Sequence, residues 1–296
     1  MTVRRAVLAV IATAVVASPM RARVLPQLPT FRAGVAVVSV DVSVRRGRVP
    51  VAGLTKDEFE LLDNGVPQQI ELVSVEAMPI DVSLALDTSD SIVANFDAFK
   101  DEVRRFAREL RREDRLRLVA FGYGVREVLP MAPVPDRLDL DSLTPGGATS
   151  ANDGIFYALS WPAPVDRRHL VIALTDGVDT SSMMDSASVV DVATRARAVL
   201  HVILVEGRPP TTTREQGSRD ALIEAAKKSG GASHALSRAS SDFKRIFDDF
   251  RASYVLRYTP KGVAVAGWHD LRVTLKRLDA ARHTIRARRG YWGATR

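Results

Sequence analysis

Cysteine is absent from all 296 residues. No disulfide framework, thiolate metal site or cysteine nucleophile is therefore possible. Histidine is scarce: His169, His201, His234, His269 and His283 lie one per segment. That scatter argues against a transition-metal centre, which groups its imidazoles. No Gly-x-Ser-x-Gly elbow and no Walker loop is present, so the common signatures of serine hydrolases and nucleotide-binding loops are missing. Beyond the first residues, no run is long and apolar enough to cross a bilayer as a helix, which takes about 20 residues. Internal repeats and long low-complexity tracts are also missing.

What is there is an ordinary globular composition, 46% hydrophobic and 26% charged, with room for one large domain and a smaller one. The formal charge is +7, mostly arginine. The basic residues are spread without a dense aromatic-basic cluster, and a solvated basic surface is expected; no nucleic acid is expected as a partner. Arg4-Arg5 precede an apolar run from Ala6 to Ala17, with Val15-Val16-Ala17 at its end. This pattern predicts a secretory signal peptide over 1–17, and hence a secreted, periplasmic or cell-envelope protein. A membrane partner enters only if that segment is retained as an anchor.

Gly34 to Val44 alternates and is rich in valine, which predicts a strand. Phe59-Glu60-Leu61-Leu62 and Gln69-Ile70-Glu71-Leu72-Val73 flank Asp63-Asn64-Gly65, the strongest short hairpin signal. Pro67 places one strand at an edge. Residues 31–78 thus read as the first part of a β domain. From Pro79 to 253, strands alternate with helices: a strand at Ile80–Leu86, a helical stripe from Phe96 to Leu110, then further pairs closing with a helix at Asp242–Ala252. Such alternation predicts an α/β fold, a doubly wound and mainly parallel sheet with helices on both faces. Residues 254–292 return to β pattern. The two flanks are expected to form one small all-β, sandwich-like domain into which the α/β part is inserted; a separate β unit at each end is the competing arrangement.

Three oxygen-bearing segments fall at strand ends: Asp87-Thr88-Ser89-Asp90-Ser91, Gly146-Gly147-Ala148-Thr149-Ser150, and Leu174-Thr175-Asp176-Gly177. In open α/β sheets, ligands bind outside the carboxyl ends of the strands. Hydroxyls and carboxylates without sulfur or grouped imidazole suit a hard divalent cation. Each residue also has a plainer role as turn former or helix N-cap: Ser91 for a helix near Ala94, Thr149 or Ser150 for one from Ala151. Asp90, Asp153 and Asp179 are read as capping or surface groups.

Asp87-Thr88-Ser89-Asp90-Ser91 resembles the D-x-S-x-S element of the von Willebrand factor type A domain, its metal-ion-dependent adhesion site. Thr149 and Asp176 match that family's second and third loops. Val51 to Phe59, Asp63 to Gln68, Thr175 to Ser182 and Arg286 to Trp292 are similar to the subfamily called VWFA-related, abundant in secreted acidobacterial proteins. The resemblance implies that Asp87, Ser89, Ser91, Thr149 and Asp176 hold Mg²⁺ (or Mn²⁺ or Ca²⁺). By it, Ser89 and Ser91 bind directly, Asp87 and Asp176 largely through waters, and Thr149 directly in one of two states. The implied partner is a protein presenting an Asp or Glu carboxylate, and the implied role is adhesion-like binding with no catalytic residue. Two other functions compete. One is an envelope scaffold braced by a structural metal. The other is a phosphoryl-transfer or hydrolytic enzyme using Asp87, against which stands Ser89 where haloacid-dehalogenase-like phosphatases carry a second carboxylate.

Overall fold

A computed structural model describes residues 37–73, 78–205, 210–236, 242–277 and 279–293. The segment read as a signal peptide lies outside them. The chain opens with strands β1 (Val38–Arg46), β2 (Val49–Pro50), β3 (Phe59–Asp63), β4 (Val66–Pro67) and β5 (Glu71–Val73). The α/β part follows: β6 (Ile80–Asp87), α1 (Phe96–Ala107), β7 (Arg115–Phe121), β8 (Val125–Pro133), α2 (Ala151–Leu159) and β9 (Arg168–Thr175). It continues through α3 (Ser186–Arg195), β10 (Val199–Leu204), α4 (Thr213–Ser229), β11 (Ala232–Ala235) and α5 (Asp242–Arg251). Strands β12 (Tyr254–Tyr258), β13 (Gly267–Leu275), β14 (Thr284–Ala287) and β15 (Gly290–Gly293) close the described chain.

The central sheet has the order β11-β10-β9-β6-β7-β8, parallel except for the antiparallel edge strand β8. Buried strands alternate between two cores. Ile80, Val82, Leu84 and Leu86 face the core shared with α1 and α5, as do Leu170, Ile172 and Leu174. Ala85, Val171 and Ala173 face the one shared with α2, α3 and α4. Helices therefore cover both faces, as the β-α alternation predicts. Edge strand β8 was not anticipated, because Pro130 and Pro133 mask its pattern; an edge tolerates them where a central strand does not. Helix α4 begins at Thr213. Its start is set by a capping box, with Glu215 N–H donating to Thr212 Oγ1 at 3.2 Å and Thr212 N–H donating to Glu215 at 3.2 Å.

The flanks form two antiparallel sheets, β14-β1-β12-β5 with β2 on β1, and β15-β13-β3-β4. They share one core, in which Val40, Val42, Phe59, Leu61, Leu256 and Tyr258 are buried. The first and last segments thus meet, and the arrangement with a separate β unit at each end is not the one adopted. Asn64 and Gly65 take positive φ, 48° and 80°, in the expected hairpin turn. Its second strand is shorter than expected. Pro67 has no N–H for the ladder, and the Gln68 side chain turns to the carbonyls of Val66 (3.1 Å) and Lys261 (3.0 Å). Residues 71–73 leave this hairpin and pair with β12 in the other sheet. Asp63, fully buried, gathers the sandwich: it accepts from the Tyr258 hydroxyl (2.8 Å) and the Tyr291 hydroxyl (3.0 Å), and His269 Nδ1 lies 2.8 Å away.

Arginines join sandwich and α/β sheet. Arg168, the first residue of β9, donates to Asp41 of β1 (2.6 Å) and to Ser253 (2.6 Å), with its guanidinium 4.0 Å above the Phe250 ring. Arg45 pairs with Asp249 of α5, and Arg288 donates to the carbonyls of Thr194 (2.8 Å) and Ala196 (3.0 Å). No helix among the described residues is long and apolar enough to cross a membrane.

Two histidines, His169 and His201, are buried in the central sheet and a third, His234, is half-buried beside them. Burial pushes His169 down to about 4, helped by Arg117, against the opposing pull of Asp81. His234, packed against His201 with ring nitrogens 2.8 Å apart, is also pushed down to about 4, chiefly by burial and then by Arg245 and Arg286. Burial holds His201 well below its usual range. A depressed folded-state value means that the unfolded chain binds more protons below 6.5. This contribution to stability is therefore full at neutral pH and is lost as pH falls from 6.5 towards 4. His169 alone accounts for about 3 kcal/mol over that window, at 1.36 kcal/mol per unit. Urea midpoints should fall steadily across it; a midpoint independent of pH there would contradict neutral histidines at these positions.

Candidate metal centre at the carboxyl end of the sheet

Strands β6 and β9 end side by side at Asp87 and Thr175, so the first and third oxygen-bearing loops leave the same end of the sheet. The second, expected at a strand end, instead precedes α2, because antiparallel β8 carries the chain to the opposite end at Pro133; it returns to this end, where the Ser150 N–H donates to the Gly122 carbonyl after β7 (2.8 Å). Register alone does not join loops; hydrogen bonds do. Gly146 N–H donates to the Thr88 carbonyl (2.8 Å) and Asp90 N–H to the Gly147 carbonyl (3.1 Å), linking the first loop to the second. Thr149 N–H donates to Thr180 Oγ1 (2.9 Å), and the Thr149 carbonyl accepts from the Thr180 and Ser181 N–H groups (2.9 and 3.1 Å), linking the second to the third. Gly146 and Gly147 hold φ of 155° and 83°, which side-chain-bearing residues rarely adopt, so the second loop can lie against the first.

Asp87 is 1% exposed. Its Oδ1 accepts from the Ser89 N–H (2.9 Å) and its Oδ2 from the Thr175 hydroxyl (2.7 Å). Burial pushes its carboxyl up to about 6; the neighbouring Asp176 carboxylate adds to the rise, and the bonds from Ser89 and Thr175 oppose it. Asp176 is equally buried. Its Oδ1 accepts from the Val178 N–H (2.9 Å), while Oδ2 has no hydrogen-bond partner. The hydroxyls of Ser89 and Ser91 lie 3.0 Å apart. Ser89, Thr149 and Asp87 are all buried at this loop cluster.

This arrangement bears on the plainer roles. Ser89, not Ser91, occupies the N-cap position of the short helical turn Asp90–Asn95, and its side chain makes no capping bond. Ser150 occupies the N-cap position of α2 without a capping bond; its hydroxyl lies 2.9 Å from that of Ser181. Asp179 is the group that caps α2, accepting from the Asn152 N–H at 3.0 Å, while Asp153 accepts from the Met183 and Met184 N–H groups (3.0 and 2.8 Å). Asp90 is exposed at the rim. The supporting roles of Thr175 and Thr180 were not read from sequence. Thr175 stood beside Asp176, but only β6–β9 adjacency brings it to Asp87.

The donor set fits a hard divalent cation. Two buried carboxylates approach one another, one keeps an unpartnered oxygen, and paired hydroxyls stand beside them. Burying two like charges without a counter-charge is costly, and an unpartnered buried carboxylate oxygen costs free energy as well. No group of three or more His, Cys, Asp or Glu among the described residues is arranged to hold a metal. The candidate centre thus relies on hydroxyl oxygens, with few protein charges.

The family model of the von Willebrand factor type A domain matches residues 81–249, more than half of the chain, and the protein belongs to that family. The family consists mostly of non-enzymatic protein-interaction modules, many of which bind a divalent metal. Its similar solved structures include the conserved hypothetical protein BatB from Bacteroides thetaiotaomicron (17% identity, 57% of this chain and 96% of that one, TM-score 0.43). Another is the manganese-loaded TRAP protein of Plasmodium vivax (17% identity, 79% of this chain and 100% of that one, TM-score 0.44). A third is the ArnB paralog VWA2 from Sulfolobus acidocaldarius (12% identity, 85% and 73%, TM-score 0.45). No curated protein matches the sequence.

Proposed function

We propose that this protein is a secreted, divalent-metal-dependent protein-binding module that captures an acidic side chain of a partner. In this reading, 1–17 is the leader, 79–253 carries the metal site, and 31–78 with 254–292 make the β domain. Ser89 and Ser91 hold Mg²⁺ (or Mn²⁺ or Ca²⁺) directly, Asp87 and Asp176 largely through waters, and Thr149 joins in one of two states. The bound cation supplies an open coordination position that accepts a carboxylate. The observation that carries the reading is the buried Asp87–Asp176 pair with its unpartnered Asp176 oxygen, beside two serine hydroxyls 3.0 Å apart.

The residues of the chain divide the work. The Ser89 N–H and the Thr175 hydroxyl hold the Asp87 carboxylate in one orientation, and the Val178 N–H does the same for Asp176. Because its two carboxylates would act largely through waters and the direct ligands are neutral hydroxyls, a divalent ion would keep enough charge to attract a carboxylate from outside. No residue is assigned a catalytic role.

Pull-down from native envelope tests the reading. Partners retained in Mg²⁺, released by chelator and absent with the Ser89→Ala variant are expected. Partners that stay bound under chelation would instead favour an envelope scaffold in which the metal is structural.

A further inference from the structure

The end of the sheet opposite the three loops carries a second surface with binding chemistry of its own. The last turns of α1, the turn after it and the segment after β8 enclose a groove of about 670 Å³, within the range of about 300–1,000 Å³ common to ligand clefts. Register fixes its place: Arg115, the first residue of β7, pairs with Pro133, the last of β8. The groove thus lies about one strand length, roughly 20 Å, from the loop cluster at Phe121.

Its floor is apolar. Leu110, Val134 and Leu138 are partly buried against the core beneath. Its rim is arginine: Arg104 on α1, Arg108, Arg111 and Arg112 just beyond it, and Arg137 on the facing segment. Arg104 is committed internally, to Asp101 (3.0 Å) and Asp141 (2.7 Å). Arg108, Arg112 and Arg137 are exposed and have no carboxylate partner among the described residues. Of the carboxylates lining the groove, Asp141 serves Arg104 and Asp139 accepts the Asp141 N–H (3.0 Å). Asp136 and Asp139 remain to set against these three guanidiniums, which leaves the rim with an excess of positive charge.

We propose that this groove docks an acidic, partly apolar peptide segment of another protein, independently of the metal centre. Unmatched guanidiniums on both walls supply charge complementarity for carboxylates, and the apolar floor accepts intervening aliphatic side chains. A flat anionic bilayer fits less well, because the apolar residues lie at the bottom of a concavity.

Fluorescence anisotropy with a labelled peptide of alternating glutamate and leucine tests the proposal on the full-length protein. Saturable binding is expected, weakening as salt is added, unchanged by chelator and unchanged in Ser89→Ala. The double variant Arg108→Glu/Arg137→Glu should bind at least about tenfold more weakly. Both positions are exposed, and an unaltered melting curve checks that this variant folds. The same peptide with lysine in place of glutamate should not bind. The proposal is overturned if wild-type protein does not bind the acidic peptide, if the double variant binds it equally, or if chelator abolishes binding, which would move the contact to the loop cluster. It is overturned equally if phosphatidylglycerol vesicles bind through these arginines and the peptide does not.

Discussion

Mg²⁺ at about a hundred times its dissociation constant is expected to stabilise the wild-type protein by about 2.7 kcal/mol. For a domain of this size that corresponds to a melting temperature higher by roughly 5–10 °C. The whole of this increment should vanish in Ser89→Ala and in Asp176→Ala. Asp87→Asn is the sharper variant. It keeps the shape of the side chain and removes the buried charge whose cost lifts that carboxyl to about 6, so the metal-free protein should melt no lower than wild type while its response to Mg²⁺ is lost. Scanning calorimetry with chelator, with Mg²⁺ and with Mn²⁺ separates these outcomes. A wild-type melting curve indifferent to chelator and to both ions would remove the metal from the proposed function.

The second large effect lies at the seam between the sheets. Arg168 is 4% exposed and joins Asp41 of the sandwich to Ser253 after α5, with Phe250 beneath its guanidinium. Deleting one partner of a buried, hydrogen-bonded ion pair costs about 3–5 kcal/mol, because the other charge is left without compensation. Asp41 is only partly buried, so Arg168→Ala is expected to fall somewhat short of that figure, at about 2–3 kcal/mol, measured as a drop in the urea midpoint at unchanged slope. Arg168→Met combined with Asp41→Asn should recover part of it, since the orphaned charge is then gone. A loss below about 1 kcal/mol for the single variant would place Arg168 among surface pairs of small effect.

Much of the α/β part was legible in the sequence because burial writes itself into composition. Ile80–Asp87 and Arg168–Thr175 lie wholly inside, and strands covered on both faces read as continuous apolar runs. Amphipathic α1 and α5 announced themselves by their phenylalanine stripes. Edge strand β8 did not, since one covered face and two prolines leave little period to read. The hairpin turn at Asn64-Gly65 was legible because φ is a local matter; the departure of residues 71–73 to another sheet was not, because pairing partners are chosen by the whole core.

The loops divide in the same way. Asp87, Ser89, Ser91, Thr149 and Asp176 could be singled out by residue type and order, and all but Thr149, which precedes α2, by position after strands; these are properties of the chain as written. Their support could not. Thr175 reaches Asp87 across 88 positions, and Thr180 reaches Thr149 across 31, contacts that exist only once β6 lies beside β9 and the loops fold over. By itself, then, the sequence determined which elements form and which oxygens stand at their ends, because secondary structure and burial depend on nearby residues and their periodicity. That the two flanks close one sandwich was expected from the sequence as well; the tertiary structure alone decided which strands pair in it, that Arg168 locks it to the sheet, and that one oxygen of Asp176 is buried without a partner. Each of these depends on groups far apart in the chain being brought within hydrogen-bonding distance, or kept out of it.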